Sequence, residues 1–142
     1  MLIAGNWKMN GNKTEAIELI KGIVNSEKYS SKMKLAIFPP SIYIPFINNL
    51  SERRKFILGA QDCSEFSNGA YTGYISAEMI KDLNCEMVIV GHSERRLLAN
   101  ETSLMVNRKC LNALLNGLMP IICVGETIKD RENKRDLDRL KK

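Results

Sequence analysis

Apolar and polar positions along the chain switch between two periods. Short β-favouring runs occupy residues 2–7, 34–38, 55–61, 86–90 and 119–124. Between them, apolar residues recur at helical spacing. In residues 14–25 they are Ala16, Ile17, Leu19, Ile20, Ile23 and Val24. Residues 41–50 read as a short helix capped by Ser41, with Ile44, Ile47 and Leu50 on one side. Pro45 makes that helix begin late or bend. Residues 76–83 form a third helical run with Ser76 as its cap, and residues 103–116 a fourth that stops before Gly117. Residues 127–142 are helical in composition. The run Met87, Val88, Ile89, Val90 is apolar without alternation, which suits a strand buried on both faces of a parallel sheet. Residues 62–73 are a long loop rich in Ser, Asn and Gly, and a loop of that length calls for a functional or interface reason.

Five β/α units without a linker predict one α/β domain with a parallel sheet. Two architectures compete. An open doubly wound sheet fits five units in 142 residues. A (β/α)8 barrel needs eight strands and about 250 residues. On length alone, the open sheet is favoured.

Composition narrows the class. Apolar residues make up 44% and charged residues 26%, which argues against disorder. No apolar run approaches the roughly 18 residues of a membrane span, so no membrane association is expected. The start lacks a basic segment ahead of an apolar stretch, so no secretory signal is expected either. The net charge is +5, and residues 127–142 hold seven Lys/Arg against four Asp/Glu. Their signs are mixed, which fits a solvated helix face better than a nucleic-acid surface. Cys63, Cys85, Cys110 and Cys123 form no C-x-x-C pair, so no metal or redox motif is present. Cys85, Cys110 and Cys123 lie in apolar stretches and read as buried thiols of a reducing compartment.

Candidate chemistry stands just beyond strand ends, where α/β proteins place their sites. Lys8 follows the first strand and could hold an anion as a point charge, or be a plain surface lysine. His92, the single histidine, sits between the fourth strand and a helix start. Backbone N–H groups and the positive helix end disfavour the imidazolium there, which makes a neutral donor. A histidine merely satisfied at a strand end is the alternative. Glu126, after the fifth strand, reads equally as an ion-pair partner.

Taken together these segments are far more specific. Gly5-Asn6-Trp7-Lys8-Met9-Asn10-Gly11, Gly69-Ala70-Tyr71-Thr72-Gly73, Ile75-Ser76-Ala77-Glu78-Met79, Val88 through Arg96 and Cys123-Val124-Gly125-Glu126-Thr127 stand in the order and spacing of the triosephosphate isomerase family. The chain resembles that family from Met1 to about Arg131. The resemblance implies a partial (β/α)8 barrel in a single incomplete domain over residues 1–142. It also implies interconversion of dihydroxyacetone phosphate and glyceraldehyde 3-phosphate in glycolysis and gluconeogenesis. No cofactor or metal is implied, and the location is cytoplasmic.

The residue roles follow by position. Asn6 and Lys8 match the substrate-binding pair, with Lys8 offsetting phosphate and enediolate charge. His92 matches the neutral electrophile, and Glu94 the acidic residue beside the lysine and histidine. Ser93 matches a supporting residue at the helix start, and Cys123 and Glu126 match supporting positions. Thr72 matches the loop residue that reaches into a partner's site in a homodimer. Two departures stand out. Tyr74 takes a position more often acidic in the family, and residues 97–103 depart from the usual pattern.

In the family, the proton-abstracting glutamate and the lid follow strand six, and the phosphate-holding loops follow strands seven and eight. This sequence reaches five strands. The expectation is an incomplete copy that is inactive alone, with sheet edges at strands one and five and an uncovered inner apolar face. A polypeptide supplying the last three strands is a possible partner. A non-catalytic assembly module is the runner-up. A nucleotide-binding open sheet fits poorly, because strand one lacks a glycine-rich phosphate loop.

Overall fold

The structure, a computed structural model, describes residues 1–26, 33–126 and 131–132. Five strands, β1 (Leu2–Asn6), β2 (Lys34–Phe38), β3 (Ile57–Ala60), β4 (Met87–Val90) and β5 (Met119–Ile122), form one sheet in the order β1-β2-β3-β4-β5. Every neighbouring pair is parallel. Sequential order with parallel pairing is that of a partial (β/α)8 barrel and excludes the open doubly wound sheet that length favoured. Register places the carboxyl ends together: Asn6 opposes Phe38, and Val90 opposes Ile122. Residues that follow these positions therefore share one rim.

The helices are α1 (Lys13–Val24), α2 (Ile44–Asn48), α3 (Ala77–Asp82), α4 (Ser93–Leu98) and α5 (Ser103–Leu115). Asn12, Ser76 and Thr102 cap α1, α3 and α5 by accepting the amides of Glu15, Met79 and Met105. Ser41 does not act as a cap. It opens a 3-10 turn (Ser41–Tyr43), and α2 starts only at Ile44, because Pro45 is tolerated at the first helical positions but not further in. The expected strand over 55–61 shortens to β3, since Ser51–Lys55 forms a second 3-10 turn. The helix expected over 127–142 lies outside the described residues except at Arg131 and Glu132, which are helical. Among the described residues, no helix is long and apolar enough to cross a membrane.

The pleat divides the sheet's side chains between two cores. Ile37, Leu58, Ala60, Val88 and Val90 pack under the helices with Ile20, Ile47, Ile80 and Ala113. On the other face Ala36, Phe38, Met87 and Ile89 are buried, with Ile57, Ile121 and Cys123 packed against them. The middle of that inner face is thus not the uncovered apolar patch expected. The Phe38 ring lies across Gly59, where an added Cβ would fall 2.3 Å from it, so the bare glycine lets the ring close over the middle of the sheet. Exposed apolar residues gather at the edges instead: Leu2 and Ile3 on β1, Met119 and Ile122 on β5.

Candidate active site

The β1–α1 connection leaves the sheet at Asn6 and turns at once. Lys8 takes a left-handed backbone conformation (φ 54°), a strained choice for a lysine. Two amide side chains hold it there. Asn6 Oδ1 accepts the Lys8 amide at 2.9 Å, and Gln61 Nε2 donates to the Lys8 carbonyl at 2.9 Å and to the Phe38 carbonyl at 2.8 Å. Gln61 follows the end of β3, so three neighbouring strand ends fix one lysine backbone.

The β4–α4 connection supplies the other half. Gly91 has φ 67°, and a Cβ there would fall 2.8 Å from Arg96 Nη2 and 2.9 Å from Val106. Only glycine allows this turn with α5 packed so close. His92 follows as the N-cap of α4, and its Nδ1 accepts the Glu94 amide at 3.2 Å. A nitrogen that accepts an N–H carries no proton, so the imidazole is neutral with its hydrogen on Nε2. The 3.5 Å approach of Nδ1 to Glu94 Oε2 is therefore a contact and not an ion pair.

Lys8 Nζ and Glu94 Oε1 meet at 2.7 Å, joining the two connections. The Lys8 hydrogen bond holds the Glu94 carboxyl below its ordinary value of 4.5, so Glu94 is ionised at neutral pH. Asn6, Lys8, His92 and Glu94 line one small cavity of about 180 Å3 with Met9, Gln61, Asp62 and Arg95. Such an arrangement offers a cation, a neutral imidazole donor and an amide to one small polar molecule.

The other candidates stand apart. Ser93 is the exposed first residue of α4. Thr72 is exposed on the loop after β3, outside that cavity. The Ser64 amide to Ile75 carbonyl bond (2.8 Å) closes the base of this loop, and Phe66 stacks on Tyr71 within it at 4.1 Å between ring centroids. Tyr74 lies beyond Tyr71 at 6.1 Å and is exposed. Glu126 pairs with Arg131. Cys123 is half-buried rather than buried, because it follows the edge strand β5. Burial pushes its thiol up, as it does Cys63, to about 12, and Cys85, to about 11. None of these thiols is a ready thiolate.

Sequence reasoning passed over Gln61, Asp62 and Arg95. The signal was available for the first two, since they follow the third strand as Lys8 and His92 follow the first and fourth. Asp62 and Arg95 also belong to an ion quartet whose other two members are buried. Lys109 Nζ donates to Asp62 Oδ1 and Oδ2 at 2.8 and 2.9 Å and to Glu101 Oε1. Arg95 Nε donates to Glu101 Oε1 at 2.5 Å and lies 2.8 Å from Asp62 Oδ2. Glu101 and Lys109 are only 5% and 4% exposed. Burial pushes the Asp62 carboxyl up despite Lys109. Burial acts the same way on Glu101, but the Lys109 and Arg95 hydrogen bonds together outweigh it and hold that carboxyl low. The quartet borders a second cavity of about 420 Å3, which Asp62 and Arg95 share with the smaller one.

A parallel β/α sheet in sequential order, with its polar cluster on the carboxyl rim, defines the (β/α)-barrel class of protein. Within that class the Triosephosphate isomerase family profile matches residues 1–142, and the chain belongs to the triosephosphate isomerase family. It is similar to the triosephosphate isomerase of Saccharopolyspora erythraea, 49% identical over 135 residues, covering 92% of this chain and 52% of that protein. The Coxiella burnetii (strain Dugway) triosephosphate isomerase is 43% identical over 140 residues, 99% of this chain and 55% of that one. The Legionella pneumophila (strain Paris) triosephosphate isomerase is 42% identical over 132 residues, 93% of this chain and 53% of its own length. The chain thus spans about half the length of the curated relatives it matches.

Proposed function

We propose that residues 1–142 are one domain that supplies the electrophilic half of a triosephosphate isomerase site, interconverting dihydroxyacetone phosphate and glyceraldehyde 3-phosphate in cytoplasmic glycolysis. The observation that carries this reading is the meeting of Lys8, His92 and Glu94 at one rim, with His92 Nδ1 engaged as an acceptor. A neutral Nε2–H aimed at a substrate carbonyl polarises it without giving up its proton to water first. Lys8 offsets the phosphate and the negative charge that grows on the carbonyl oxygen, and Asn6 holds the backbone of Lys8 while facing the same cavity. Glu94 keeps Lys8 in place between turnovers. Ser93 supports the start of α4, while Cys123 and Glu126 support the rim after β5. Thr72 on its tethered loop reaches into the site of a second copy in a homodimer.

Abstraction of the α-proton and the loops that cradle the phosphate fall to the half of the relatives beyond this match. A positioned general base contributes roughly 10²–10⁴-fold, so the 142 residues alone are expected to show no turnover above background. The test is a coupled assay of triose phosphate interconversion. The chain is measured by itself, then mixed with a polypeptide supplying the remaining three strands, folding being followed by circular dichroism. Turnover in the mixture, abolished by His92→Ala, is the expected result. A folded mixture without turnover, or activity indifferent to His92→Ala, overturns the assignment.

A further inference from the structure

We infer that Glu101 and Lys109 are positioning residues for the Lys8–His92–Glu94 cluster, acting through Arg95 and Asp62. Neither lines the cavity that the cluster surrounds. Each is bonded to a residue that does. Arg95 belongs to α4, the helix that His92 caps and that carries Glu94. Asp62 adjoins Gln61, the amide that clamps the Lys8 carbonyl. One ion quartet, anchored on the buried Glu101 and Lys109, therefore grips both backbone segments that present the cluster.

Its construction makes it a firm anchor. Glu101 receives Lys109 and Arg95 on the same oxygen, Oε1. Among the described residues, its other oxygen, Oε2, is buried and has no hydrogen-bond partner. The two cations on Oε1 are what hold the carboxylate in place. Two acids and two bases balance one another, and removing Lys109 or Glu101 leaves a buried charge short of its partner. Arg95, about half-exposed, is the member that passes this constraint to α4. The Glu101 amide also donates to the Arg95 carbonyl at 3.3 Å, so side chain and backbone tie the two residues together.

This reading concerns the geometry of the cluster and stands or falls separately from isomerase turnover. Because His92 is the only histidine, ¹⁵N-histidine labelling of the 142-residue chain gives one imidazole to follow. In the unaltered chain, the expected signature is a single Nε2–H tautomer. Arg95→Met cuts the link at a half-exposed position while leaving the Lys109–Glu101 bond intact. Glu101→Gln cuts it from the buried side. Both variants are expected to raise the Nδ1–H tautomer fraction and to lower hydrogen-exchange protection of the Glu94 amide by about tenfold or more. The double variant is expected to go no further than the larger single change, as for residues acting through one another. A folded Arg95→Met chain with an unchanged His92 signal overturns the inference. So does an additive double variant, or a loss of global stability with the His92 signal intact, which is what a purely structural role produces.

Discussion

Two charged clusters lie side by side at the carboxyl rim and are built in opposite ways. The Lys8–Glu94 pair is about half-exposed on both sides, and it stays available to a ligand. The Lys109–Glu101 pair is 5% and 2% exposed at its side chains and is closed to anything but its neighbours. The first joins segments far apart in sequence, whereas Lys109 and Glu101 are eight residues apart and Lys109 reaches a distant segment only through Asp62. In water the first is worth little to stability, because solvent screens it and two long side chains must be ordered. In the interior the second cannot lose a member without stranding a charge. The comparison teaches that proximity does not set the worth of an ion pair. Burial does, and the exposed pair is the one a solute can reach.

The largest expected effect comes from breaking the buried cluster. Lys109→Met should cost about 3–5 kcal/mol in urea unfolding, most of it the price of an uncompensated Glu101. Adding Glu101→Gln to Lys109→Met should restore a good part of that loss, and a double variant less stable than the single would contradict the explanation. Gly91→Ala tests the backbone of the exposed cluster instead of its charges. Its new Cβ would press on Arg96 and Val106 at a left-handed φ, so roughly 1–3 kcal/mol of destabilisation is expected, together with a shifted His92 imidazole signal.

Acid should discriminate between the clusters next. Glu101 has a folded pKa below its ordinary 4.5, so the unfolded chain takes up its proton first as pH falls. Its contribution is fully present above about 4.5 and is lost as pH drops through the lower folded value. Asp62, pushed the other way by burial, offsets part of this. Between about pH 5 and about pH 3, the unaltered chain should therefore lose more stability than Glu101→Gln does, and equal slopes would count against the buried pair. The smallest effect on stability belongs to Lys8→Met. Its unfolding midpoint should match that of the unaltered chain, because the pair with Glu94 is exposed. Triose phosphate turnover by the reconstituted enzyme should nonetheless collapse. A large stability loss in Lys8→Met would erase the contrast between the clusters.

Much of this was legible in the residues. The five strands, four of the helices and the rim positions of Lys8, His92 and Glu94 followed from periodicity, caps and strand ends, because those signals are local and each residue type has its own physical reason to be there. The start of α4 was legible too, as the helix start expected beside His92. The boundaries of β3 and α2 moved by a few residues, where 3-10 turns replaced the expected strand start and helix cap. Sequence alone left the sheet's order open between two architectures until the family motifs decided it. The pairing within the quartet had no sequence signature. Nothing in the spacing of Asp62, Arg95, Glu101 and Lys109 marks them as partners. Only the curl of the sheet brings the loop after β3 against α4 and α5, burying those groups where a charge must find its opposite. The inner face shows the same division. Phe38 and Gly59 are unremarkable in the chain, but the pairing of β2 with β3 lays one ring over the other's missing side chain. Local chemistry determined the elements and the rim, and tertiary packing decided which charges are free to act and which are locked, because burial is a property no single stretch of chain possesses.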